Sequence, residues 1–203
     1  EMNIKTWIAA HFSEHVFYTS SFACLRRFSH AVQMPVGINT ALFVPDEQVE
    51  PLPRSILFLG RLSRIKRPEL FMDAVARLTD TSVTVYGDVT PDLPYTKEEL
   101  QKRGGAHVTM HGAIRNDETP QLYRSHELYV NLTPEGSMDK TVLEAAACGA
   151  LVLVYNKSYK GIVPDECLLP DDQVETIARS IHALLSRSEE DKRALRKKLI
   201  DIT

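Results

Sequence analysis

The chain has 203 residues, 43% of them hydrophobic and 25% charged, with only 9 Gly and 11 Pro. This composition suits one large domain or one and a half smaller ones and excludes disordered, collagen-like and low-complexity chains. Its 24 Lys and Arg against 27 Asp and Glu give a net charge of -3, so no overall basic field exists to condense on a polyanion, and nucleic acid is not expected as a partner.

No run of about 18 apolar residues is present, nor the basic, apolar and small-residue regions of a secretory leader. Cys24, Cys148 and Cys167 form no CxxC pair, so neither a disulfide framework nor a structural zinc site is indicated. A soluble, cytoplasmic protein is expected. The chain opens in a helix-like pattern without an initiator Met, as a piece of a longer protein would.

In chain order, Asn3 to Phe12 reads as a short amphipathic stretch and His15 to Ser20 as a strand, from its aromatic and β-branched residues. Ser20 or Ser21 is placed to cap a helix reaching Phe28. Gln33 to Pro53 holds four prolines and one glycine without either period, which marks a connector. The apolar run Ser55 to Leu59 follows. A helix then opens with Pro68 in its first turn and buries Leu70, Phe71, Ala74, Val75 and Leu78. Strands are predicted at Val83 to Tyr86, His107 to Met110, Leu128 to Leu132 and Leu151 to Tyr155. Helices are predicted near Lys97 to Lys102, Glu118 to Arg124 and Lys140 to Cys148, then Gln173 to Leu185 and Glu189 to Ile200. Such alternation argues an α/β fold with a doubly wound parallel sheet, Rossmann-like, covered on both faces.

In that fold ligands bind at the carboxyl ends of the strands, which singles out the loops Gly60 to Lys66, Gly112 to Asn116 and Thr133 to Lys140. The first carries Arg61 and Lys66 with Arg64 and Arg67 beside them. Arg offers a bidentate fork and Lys a mobile point charge, a pair suited to a diphosphate; the alternative is a solvated basic turn. Neither GxxxxGK[ST] nor GxGxxG is present. The third loop runs into a helix with Ser137 or Asp139 as cap and Gly149 past its end, so free amides there make an anion site. Glu144 lies five residues beyond Asp139, about 7.5 Å along the axis. That is about the separation of a pyrophosphate from its ribose, whose hydroxyls a carboxylate can accept. The alternative for Glu144 is a surface pair with Lys140.

These residues resemble those of the retaining GT-B glycosyltransferases, family 4 in particular. The similarity rests on GRL with a Lys five residues after its Arg, YGD at Tyr86 to Asp88, HGAI at His111 to Ile114, LYRSHELYVNLTPEG and VLEAAACGALVLV, in that order. The connector MPVGINTALFVP also resembles the family's interdomain segment.

The resemblance implies a carboxyl-terminal domain, residues 54–203, that binds a nucleotide-diphosphate sugar. Residues 36–53 would be the connector, and residues 1–35 the last strand and helices of an amino-terminal acceptor domain that is otherwise missing. Carried over residue by residue, Arg61 and Lys66 hold the diphosphate and act catalytically through their charge, Glu144 holds the ribose, and the backbone from Ala113 through Ile114 to Arg115 meets the base. Gly60, Gly136 and Thr141 complete the donor-binding set. The family's paired Glu stand one residue closer together than Glu135 and Glu144, which puts Gly136 where the first acid belongs. The sugar-contacting and catalytic role of Glu135 is therefore shared with Ser137, Asp139 or Lys140. The family transfers the sugar with retention and uses these cations in place of a metal; no DxD stands in the three loops, and neither metal nor cofactor is expected. The alternatives from other classes are a non-enzymatic nucleotide-binding or regulatory module that kept the fold, and a sugar-nucleotide epimerase.

Other signals have bland readings. His11, Glu14 and His15 spell HxxEH, yet the helix has to end before His15, which denies a zinc motif its common face. Cys148 reads as a small core residue, Asp88 as a loop cap with a position near the donor as the alternative, and His111 as either a donor contact or a backbone partner. The basic run Lys192 to Lys198 reads as a solvated helix face, with contact to anionic lipid at the inner membrane face as the alternative.

Overall fold

The computed structural model describes residues 2–136 and 138–203. Ser137 and Glu1 lie outside the described residues. The chain begins with α1 (Ile4–Phe12), whose first turn is capped by the Asn3 carboxamide accepting from Thr6 N–H at 2.8 Å. Strands β1 (Val16–Tyr18) and β2 (Ala31–Gln33) pair in parallel, Phe17 opposite Val32. The helix expected from Ser20 to Phe28 is reduced to one 3-10 turn at Cys24–Arg27. Ser20 does not cap it; its Oγ accepts from Phe22 N–H and is bonded to Ser158 Oγ. β2 was not expected, because three residues next to a Pro-rich connector carry no readable alternation.

After residues without regular elements come β3 (Leu52–Leu59), α2 (Pro68–Val75), β4 (Ser82–Tyr86), α3 (Lys97–Gly104) and β5 (Val108–His111). Next are α4 (Thr119–Ser125), β6 (His126–Asn131), α5 (Lys140–Ala147), β7 (Leu151–Val154), α6 (Val174–Leu185) and α7 (Glu189–Ile200). All five strands of the second sheet are parallel, in the order β5-β4-β3-β6-β7. β7 is buried throughout, and β3 and β6 each bury four or more consecutive residues, as a parallel sheet covered on both faces requires. α2 packs on α3 and α6, and α5 packs on α4 and α7; these two groups flank the sheet.

The strand order places β3 and β6 side by side while their outgoing chains turn to opposite halves, which opens a crevice between them at their carboxyl ends. At the other end β3 is irregular. Its register against β6 shifts between Leu52 and Ile56, and Arg54 adopts φ 57. The freed Arg54 N–H donates to Glu127, which is 3% exposed, and the Glu127 carboxylate also takes the Lys192 ammonium at 2.6 Å. Lys192 is therefore not part of a solvated basic face. It is 5% exposed, with Glu189 as a second partner at 2.9 Å. Burial works to lower its pKa, and the two carboxylates outweigh this and hold it above the ordinary value.

The amino-terminal unit leaves much apolar surface uncovered. Ile4, Trp7, Ile8 and Phe12 fall on one stripe of α1, with Phe12 81% exposed, and Phe17 and Val32 are also open. His11 stacks on Trp7 at 5.2 Å and α1 ends at Phe12, so HxxEH shares no helix face. Among the described residues no helix is long and apolar enough to cross a membrane.

Candidate functional site

Three glycine-bearing strand exits are joined main chain to main chain. Gly60 N–H donates to Tyr86 O at 3.0 Å and Gly87 N–H to Gly112 O at 3.1 Å. Gly87, at φ 145, lies so close to Gly60 that an added Cβ would stand 2.0 Å from the Gly60 carbonyl oxygen. Only glycine fits there. Gly87→Ala is expected to cost roughly 2–4 kcal/mol, from overpacking against backbone together with a strained φ, read as a lower urea midpoint at unchanged slope.

Above this floor lies a cleft of about 460 Å³, lined among others by Gly60, Arg61, Ala113, Ile114, Thr141 and Glu144. These six expected residues come together from three separate segments. Asp88, Asn116 and Thr119 also line it; Asp88 had a place near the donor as its alternative reading and Asn116 ends the loop singled out from Gly112, whereas nothing in the sequence pointed to Thr119. Asp88 does act as a cap, accepting from Ala113 N–H at 3.2 Å, and it faces the cleft as well. His111 stacks on Tyr86 at 4.5 Å, and its ring bonds no backbone group among the described residues.

Glu144 projects from α5 and is only 6% exposed. It accepts from the Tyr123 hydroxyl at 3.4 Å. Burial raises its carboxyl above the ordinary value, against the opposing pull of Tyr123 and Asn116. A buried carboxylate that opens on a cleft is not the surface pair with Lys140 considered as its alternative; Lys140 is exposed at the first position of α5. Cys148 is buried, as its core reading requires.

Lys66 and Asp139 stand beside this cleft rather than in its lining. The Lys66 ammonium donates to Asp139 Oδ2, and the pair is only 19% and 20% exposed at the side chains. Asp139 occupies the cap position of α5, but its carboxylate makes no capping bond; Lys66, Asn131 and Thr133 take it instead. Burial alone would raise its pKa, yet those donors hold it below the ordinary value. Arg67 closes the loop at φ 55 and is fixed by Asp172 at 2.9 Å and by the Tyr155 ring at 5.0 Å. Glu135 points to Lys157, 3.7 Å away, and Gly136 turns at φ 126 with open space around it.

A five-stranded parallel sheet flanked by helices, with a cleft at its strand exits, is a Rossmann-like α/β fold of the GT-B type. The model of the family Glycosyl transferases group 1 matches residues 53–187, and the chain belongs to that family. Similar curated proteins include a D-inositol 3-phosphate glycosyltransferase of Arthrobacter, 27% identical over 144 residues that cover 62% of this chain and 34% of that protein. A GDP-mannose-dependent alpha-(1-6)-phosphatidylinositol dimannoside mannosyltransferase of Mycobacterium tuberculosis is 24% identical over 185 residues, covering 86% and 49%. The chain thus spans about a fifth to a half of the length of the curated relatives it matches. Among solved structures, Anabaena HepE in complex with UDP and glucose superposes with a TM-score of 0.81 at 18% identity, over 96% of this chain and 59% of that one. The carboxyl-terminal domain of the glycosyl transferase group 1 family protein LpcC from Francisella tularensis gives 0.68 at 22% identity, over 82% and 96%.

Proposed function

We propose that this chain is the donor-binding part of a retaining glycosyltransferase that moves a sugar from a nucleotide-diphosphate sugar to an acceptor, with a further acceptor-binding domain packing on the uncovered apolar surface of residues 4–34. The observation that carries this reading is the cleft that brings Arg61, the Ala113 and Ile114 backbone, Thr141 and the buried Glu144 together at the strand exits. Solved relatives of the same fold hold UDP and glucose, which supports a nucleotide sugar as ligand.

In this arrangement the base lies against the Ala113 to Arg115 backbone and the Glu144 carboxylate accepts the ribose hydroxyls. Arg61 and Lys66 face the diphosphate, the place where negative charge builds as the bond from sugar to phosphate breaks. Fixed cations aimed at that charge stabilise the transition state more than the ground state, commonly the largest catalytic contribution. They provide there the positive charge that a divalent metal supplies in other transferases, so the proposed reaction uses none. The turn from Glu135 to Lys140 borders the sugar, with Glu135 as its remaining acid.

Calorimetric titration with UDP, GDP and ADP tests the reading: one diphosphate is expected to bind selectively, and binding of none would overturn it. Glu144→Ala is expected to weaken that ligand by about tenfold or more, the loss of hydrogen bonds to a charged acceptor, and to abolish discrimination against the 2′-deoxy analogue. Because burial holds this carboxyl above the usual range, its protonation and the loss of ribose binding set in at a higher pH than an exposed Glu would give. Product analysis on the longer protein separates transfer from epimerisation.

A further inference from the structure

We propose that Asp139 is a positioning residue for Lys66, holding the ammonium beside the mouth of the cleft without itself touching the donor. The inference rests on Lys66 being a diphosphate ligand, as argued above.

The Asp139 carboxylate is itself held from several directions. Its Oδ2 accepts from Asn131 Nδ2 at 2.9 Å and Thr133 Oγ1 at 2.9 Å, in addition to Lys66. Asn131 is set in turn by accepting from Thr133 N–H at 3.1 Å, and its amide also reaches the Tyr129 hydroxyl at 3.3 Å. That hydroxyl donates to Thr141 Oγ1 at 2.8 Å, and Thr141 lines the cleft. The Tyr159 hydroxyl anchors the Asp139 carbonyl. The end of β6 and the chain just after it thus fix the Asp139 carboxylate, while the turn at Lys157–Tyr159 fixes its main chain.

Lys66 is the opposite kind of group, a point charge on a flexible four-carbon stem. Free, it would lose its rotamer freedom on each binding event. Tied to a rigid carboxylate, it is ordered beforehand: its Cε lies 4.0 Å from the point where a Gly60 Cβ would stand, and Gly60 is part of the cleft wall. Direct donor contact by Asp139 is the poorer reading of the same geometry. Its Oδ2 already serves three donors, and a carboxylate placed against diphosphate oxygens would repel them. Those donors also disperse its charge, which limits the repulsion felt at the cleft.

The test titrates the unaltered chain, Asp139→Asn, Asp139→Glu, Lys66→Ala and the Lys66→Ala/Asp139→Asn double variant with UDP, GDP and ADP and the matching nucleosides. Asp139→Asn is expected to weaken the diphosphate by up to about tenfold, the worth of ordering one rotamer-rich side chain, and to leave the nucleoside unchanged. Asp139→Glu is expected to restore part of the loss, and Asp139→Asn to add nothing once Lys66 is alanine. Tighter diphosphate binding by Asp139→Asn, equal losses for nucleoside and diphosphate, or additive losses in the double variant would each overturn the proposal. Should Asp139→Asn fail to fold by circular dichroism, Thr133→Val takes its place, with a smaller loss of the same diphosphate-only kind, again absent beside Lys66→Ala. If the unaltered chain binds no diphosphate, the reading of the cleft falls and takes this proposal with it. If Lys66→Ala weakens the diphosphate while Asp139→Asn does not, only the proposal falls.

Discussion

Replacing Arg61 by alanine is expected to weaken the nucleoside diphosphate by about 10- to 100-fold while leaving the nucleoside nearly untouched. The range follows from the roughly 1.5–3 kcal/mol attached to a hydrogen bond with a charged partner. Arg61 is exposed, lines the cleft and makes no ion pair among the described residues, so its whole charge is available to phosphate oxygens. Lys66→Ala is expected to act in the same direction with a smaller loss, because its ammonium already shares its charge with Asp139. Parallel titrations of diphosphate and nucleoside read the difference directly. Equal losses for the two ligands would remove the phosphate from this loop. The diphosphate increment is also expected to shrink as salt is raised, since both groups act largely through charge at a surface opening.

Lys192→Met is expected to cost about 3–5 kcal/mol of stability, the usual penalty for leaving one member of a buried ion pair alone. Glu127 is almost wholly inside, and its other partner in this network is the Arg54 main chain at the irregular start of β3. The expected fall in melting temperature is on the order of 10 °C. Adding Glu127→Leu to Lys192→Met is expected to recover part of the loss, since it removes the stranded charge and leaves only the Arg54 N–H without its acceptor. A change of under 1 kcal/mol in Lys192→Met would show that water reaches this pair.

Much of the fold was legible because parallel strands buried on both faces announce themselves as apolar runs. Ile56 to Leu59 and Leu151 to Val154 needed no help from tertiary context. Arg61, Ala113 and Ile114 were legible for a related reason: they follow such runs by short distances and so fall at strand exits, while Glu144 was legible from its place in the helix that follows the third loop and from the family resemblance. Side-chain pairings were not. Asp139 has the residue type and place of a helix cap, and only the arrival of Lys66, 73 positions earlier in the chain, diverts its carboxylate. Lys192 sits in a basic run on an amphipathic helix, and nothing local reveals that Glu127 waits beneath it. The vanished helix after Ser20 has the same origin, a serine hydroxyl taken by Ser158 at a distance of 138 residues.

The contact between Gly60 and Gly87 makes the floor of the cleft a surface of peptide groups. Drift in side-chain chemistry reshapes such a floor little, because Gly87 has no room for a side chain and Gly60, at φ 141, holds a conformation that L side chains rarely adopt. Changes of donor preference over evolutionary time, and attempts to redirect it in the laboratory, are thereby confined to the walls, at Ala113, Ile114, Asn116 and Thr119. A library that randomises those four positions and leaves the glycines alone would sample most of the variation this architecture permits.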